Sequence, residues 1–272
     1  MPEKPVTPSS LLEDLSDELE FLAEVVEARG GDLRRLGNVF EKLSTYYRAL
    51  GICRLSGEGN VDEFFQYLVQ SALTRRHYLA GIREGDRDAR FRRATFIEPA
   101  FDAIAARQWQ LASAVLQLTA NEWSVGEEYE DDFCYAEFIR RIVTAPSSDV
   151  EDLLARWDRV LEGGKDLRLG VARALQARSG TEFEGALTSL LESSERTASK
   201  MADPVTGSFL ANDETFFPNR WVSVEGLSLL AIAERLGMDA RQEFLACPLL
   251  ARRSTLSGFR SKGYPNIPYT EE

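Results

Sequence analysis

SLLEDLSDELEFLAEVVEARGG, residues 10–31, sets the reading of the fold. Leu11, Leu12, Leu15, Leu19, Leu22, Val25 and Val26 recur at steps of three and four with acids between them, the pattern of one apolar stripe on an α-helix. The Gly30-Gly31 pair then ends it, because a left-handed residue closes a last helical turn most easily as glycine.

The same grammar repeats along the chain. Helices are expected over 10–29, 34–55, 61–82, 87–106, 108–121, 130–144, 149–162, 166–178, 182–202 and 223–237. Capping pairs mark their starts: Ser10 with Glu13, Asn60 with Glu63, Ser148 with Glu151, Thr181 with Glu184 and Asp239 with Gln242. Gly57, Gly163-Gly164, Gly180 and Gly237 mark further stops. β-branched alternation never persists, and no Asn-Gly or Asp-Gly turn joins two such runs.

The expected class is therefore all-α: about ten amphipathic helices packed as antiparallel helix pairs, in a bundle or a short solenoid-like stack. Residues 1–272 read as a single domain, with the softest boundary at Ala145-Pro146-Ser147-Ser148. The longest segment expected to be irregular is 203–221.

A net charge of -12 argues against nucleic acid and against an anionic membrane, since both demand a basic face. A basic protein is the natural complement. Cys53, Cys134 and Cys247 are odd in number and widely spaced, which fits buried thiols in a reducing compartment. No basic leader precedes an apolar run, and no stretch of about eighteen uninterrupted apolar residues occurs, so the expected location is cytoplasmic.

Chemistry-bearing patterns are missing. A carboxylate di-metal site in a helical bundle needs Glu-x-x-His pairs, and the single histidine, His77, follows Thr74 at that spacing. Glycine-rich phosphate loops, nucleophile elbows and Cys-x-x-Cys pairs do not occur. The basic stretch 74–93, with arginines at 75, 76, 83, 87, 90, 92 and 93, is interleaved with acids and reads as internal ion pairing. The expectation is a protein without catalysis, cofactor or metal.

Two features ask for a partner. Glu127, Glu128, Glu130, Asp131 and Asp132 crowd around Tyr129 and run into Phe133. Acids favour a helix N-terminus, but adjacent carboxylates repel, and a cationic partner would relieve them. Phe216, Phe217 and Trp221 concentrate aromatic surface before the last long helix, as a plug between helices or as a binding edge.

The segment RWVSVEGLSLLAIAERLGMDARQEFLACPLLAR, residues 220–252, resembles the C-terminal signature of the polymorphic-toxin immunity protein 49 family, with Val222, Ser223, Glu225, Leu227, Leu230, Ala233, Gly237 and Pro248 in its places. The resemblance covers the last third of the chain. It implies an all-helical cytoplasmic immunity protein that binds and neutralises a cognate effector toxin, a basic nuclease-type toxin being the best electrostatic fit. Glu225 falls in the first turn of its helix, where a capping role is expected. A helical-repeat scaffold or adaptor is the alternative, and a magnesium-dependent helical enzyme using Asp131 and Asp132 is the third reading.

Overall fold

The computed structural model describes residues 6–29, 32–82, 89–146, 149–202, 213–240, 243–253 and 256–266. Their regular structure is helical, in the order α1 (Pro8–Ala28), α2 (Gly37–Glu58), α3 (Val61–Gly81), α4 (Glu98–Ala105), α5 (Trp109–Leu118), α6 (Glu130–Thr144), α7 (Glu151–Val160), α8 (Leu167–Ala177), α9 (Gly180–Met201), α10 (Phe216–Trp221), α11 (Val224–Arg235) and α12 (Leu249–Arg253). Short 3-10 turns cover Leu33–Arg35 and Ala89–Arg92, and no strand occurs among the described residues.

The opening stripe behaves as its spacing requires. Leu11, Leu15, Leu19, Leu22 and Val26 are buried along α1, which lies against α2. Removing five such side chains from water favours docking by on the order of 10 kcal/mol before ordering costs are subtracted. Between α2 and α3, Gly59 takes a left-handed φ of 65° and Asn60 Oδ1 accepts from the Glu63 amide at 3.1 Å. Two long helices joined by so tight a turn and packed along each other must run antiparallel.

Contacts between distant helices close the structure. α11 packs on α4 and α10 on α2, bringing the last third of the chain back onto the first half. Buried residues on both sides of 145–148 belong to one apolar cluster. A solenoid would restrict each unit to its neighbours, so the arrangement is a bundle. No helix among the described residues is long and apolar enough to cross a membrane.

Several local expectations need correction. The helix expected over 87–106 is only Glu98–Ala105, because Pro99 has no amide to donate and fits only a first turn. Thr7 and Ser10, not Ser10 and Glu13, form the capping box of α1. Gly57 lies inside α2, where a Cβ would meet Pro8 Cβ at 3.0 Å, so it admits α1 and does not end a helix. Gly180 is the first residue of α9, whose N-cap is Ser179, and Arg178 with φ 51° closes α8. Within 203–221, Phe216–Trp221 is a helix, and α12 begins directly after Pro248, in a stretch for which apolar spacing predicts no helix. Gly30, Gly31, Ser148, Gln242 and residues 203–212 lie outside the described residues.

Candidate functional site

The acidic run divides by burial. Glu128 is 8% exposed, and its carboxylate accepts from the Thr95 amide and hydroxyl, both at 3.0 Å, and from the Ser124 amide at 3.4 Å. Trp123 Nε1 donates to the Glu128 carbonyl at 3.0 Å, and Gly126 turns the chain at φ 85°. The α5–α6 connection is thus tied to its own base and to Thr95. Phe133 is buried beneath it.

The cationic relief expected from a partner comes largely from the chain. Arg156 Nε meets Glu130 at 2.7 Å while its guanidinium lies 5.5 Å from the Phe133 ring. Arg168 reaches Asp132 at 2.7 Å, Asp166 at 2.8 Å and Asp131 at 3.6 Å. Glu128 and Phe133 are themselves buried. Tyr129, 80% exposed at the N-cap of α6, Val125, 77% exposed, and the exposed Glu127 remain facing outward.

Behind the acidic run lies a polar cleft of about 460 Å³ lined from α2, α4, α6, α8, α9, α10 and α11. Its floor is a buried network: Arg48 Nε donates to Asp102 Oδ1 at 2.6 Å, Ser71 Oγ to Asp102 Oδ2 at 2.5 Å, and a second Arg48 nitrogen to the Glu98 carbonyl. Burial outweighs the Arg48 guanidinium and raises the Asp102 carboxyl to about 6.

On the opposite wall, Tyr135 donates its hydroxyl to Glu225 Oε1 at 2.5 Å, and the Arg168 guanidinium sits 5.1 Å from the Tyr135 ring. Burial raises the Glu225 carboxyl above the usual range, with Glu98 adding repulsion. Burial, then the Glu225 charge, holds the Tyr135 phenol well above its ordinary value. The side-chain cap of α11 is Ser223, whose Oγ accepts from the Gly226 amide at 3.0 Å, so Glu225 is released from capping to bridge α6 and α11.

The other candidates are structural in their surroundings. His77 lies 5.9 Å, ring to ring, from both Phe40 and Tyr264. In the basic stretch, Arg75 is fully buried, donates to the Phe91 carbonyl at 2.6 Å and rests 4.7 Å from the Phe96 ring, while Arg93 reaches Glu41 at 3.1 Å. Phe217 and Trp221 pack half-buried against the core, and Phe216 lines a neighbouring apolar cavity. No group of three or more His, Cys, Asp or Glu side chains suited to a metal occurs among the described residues.

Reading the sequence missed Arg48, Asp102, Tyr135 and Arg168. The signal was present for two of them: Arg48 in YYRALGIC and Asp102 in AFDAIAA are single charges inside apolar stripes, a placement that requires a buried partner. What the cleft offers is one carboxylate oxygen of Glu225 with no bond from the described residues, two anchored guanidiniums and an aromatic wall. It is equipped to hold a charged or polar group. Comparison of the chain with protein-family models, with curated proteins and with solved structures gave no match, so the resemblance of residues 220–252 stands on its own residues.

Proposed function

We propose that the chain is a non-catalytic protein-binding partner of the immunity type, neutralising a cognate effector toxin with a basic surface in the cytoplasm of the cell that makes both. The observation that carries this reading is the α5–α6 connection. It presents Val125 and Tyr129 to solvent from a backbone held by Glu128 and Trp123, beside the exposed acid Glu127. A tyrosine on a backbone held in advance spares the cost of ordering the loop on contact and combines apolar area with a hydroxyl, which is why tyrosines anchor interfaces. The acidic chain supplies long-range attraction for a basic partner.

The scaffold alternative is weakened by the packing of α10 on α2 and α11 on α4, which leaves no repeating stack. The deciding experiment is a pull-down of the tagged chain against the product of the neighbouring gene, alongside Tyr129→Ala with Val125→Ser. A one-to-one complex lost in the double variant supports the proposal. A complex indifferent to it moves the interface elsewhere, and the absence of any complex removes the immunity reading.

A further inference from the structure

The charges around the cleft do not balance. Among the lining groups and their direct ion-pair partners, Glu98, Asp102, Asp131, Asp132, Asp166 and Glu225 face only Arg48 and Arg168. Arg48 is matched by the buried Asp102, and Arg168 is shared among three aspartates. Glu98 and Glu225 are left without an ion-pair partner among the described residues, although Glu225 is desolvated enough for its carboxyl to be raised. A confined carboxylate in that state is stabilised by any cation that can reach it.

The cleft and the exposed loop form one structure. Thr95 lines the cleft and holds the Glu128 carboxylate that ties the loop down. Asp132, also in the wall, follows Tyr129 by three residues, about 4.5 Å along the axis of α6. Beyond Ser194, Asn219 and Ser223, which line both, the cleft adjoins a second, mainly apolar cavity of about 310 Å³, lined by Leu191, Ala198, Phe216 and Leu245 together with Asp213 and the Glu195–Arg220 ion pair. A polar, acidic chamber beside a mainly apolar one is shaped for a basic side chain next to an apolar one.

We propose that the cleft receives a lysine or arginine side chain from the protein that covers Tyr129, an apolar neighbour of that residue entering the adjoining cavity. This rests on the protein-binding reading above. It moves the electrostatic contact from the acidic run, which Arg156 and Arg168 already occupy, to Glu98 and Glu225 behind it.

The test uses the full chain and model compounds, so that it needs no partner. N-acetyl-arginine amide, its asparagine analogue and its glutamate analogue are titrated by calorimetry and by NMR. The arginine probe is expected to bind saturably, and Glu225→Gln and the exposed Glu98→Gln are each expected to weaken it by about tenfold. Tighter binding of the glutamate probe, lost in Arg48→Lys, would overturn the proposal in favour of an anion site; no saturable binding by any probe overturns it outright. Because Glu98 is exposed, its variant still reports if Glu225→Gln does not fold. Pull-down with the same variants separates the two readings. Binding lost with Tyr129→Ala but intact in Glu98→Gln and Glu225→Gln removes the cleft and keeps the protein partner. Probe binding without any captured protein keeps the cleft and removes the partner.

Discussion

Tyr135 and Glu225 stand 90 residues apart in the chain and share one short hydrogen bond, 2.5 Å from hydroxyl to carboxylate, that fastens α6 to α11. A bond to an ionised acceptor in a desolvated place is stronger than a neutral one. Tyr135→Phe leaves the carboxylate behind without its donor and is expected to cost about 1–3 kcal/mol in urea unfolding. A variant as stable as the parent would mean that water replaces the phenol.

Neighbours in the acidic run should respond in opposite ways. Tyr129→Ala removes an exposed side chain and is expected to change stability by less than about 0.5 kcal/mol. Glu128→Ala strips the acceptor from the Thr95 and Ser124 amides and is expected to cost about 1–3 kcal/mol. Thermal unfolding of the pair decides it; equal losses would show that the loop is not held as described.

How much of this was legible beforehand varies with the kind of interaction. α1, α2, α3 and α6 follow from apolar spacing, because a helix face buried along its length leaves a periodic trace. Gly57 was misread as a stop because a glycine that admits another helix and one that closes a turn look alike until Pro8 is placed against it. The acidic run was legible as unusual, but its resolution was not, since Arg156 and Arg168 lie 26 and 36 residues from the acids they meet.

Gly226 offers a test of packing within the segment that carries the resemblance. A Cβ there would sit 2.6 Å from Cys247 Sγ and 3.0 Å from Leu191 Cδ2. Gly226→Ala is expected to cost about 1–3 kcal/mol, and adding Cys247→Ala should recover part of it. Strict additivity in that cycle would place the strain elsewhere.

The three thiols should be silent in the folded protein. Cys53, Cys134 and Cys247 are buried, and burial pushes them up to about 12, 11 and 12. At pH 8 a thiol reagent is expected to label none of them natively and all three in urea, because only the thiolate reacts. Rapid native labelling would reveal an opening that the packing does not permit.

Asp102 carries the pH dependence of the cleft floor. Its carboxyl is raised from 3.8 to about 6 by burial against the pull of Arg48, so between about pH 4 and 6 the folded chain holds a proton there that the unfolded chain has released. Its contribution to stability is therefore full below about pH 4 and declines as pH rises through about 6. Carboxyl carbon NMR should place its midpoint near 6; a midpoint below 3.8 would mean that Arg48 prevails over burial.

The strip 256–266 runs along α3, from Asp62 to Thr74, and its backbone is held by the helix's glutamines: Gln66 Nε2 donates to the Gly258 carbonyl at 2.6 Å, the Arg260 amide to Gln66 Oε1 at 2.7 Å, and Gln70 Nε2 to the Pro265 carbonyl at 3.0 Å. Those partners are separated by more than 190 residues. During synthesis at roughly 5–20 residues per second, α3 must wait about 10–40 s before the ribosome delivers the backbone that its buried amides require. A nascent chain stalled short of residue 256 would leave Gln66 and Gln70 without the carbonyls they hold in the folded chain, so the face of α3 that the strip covers closes only at the end of synthesis.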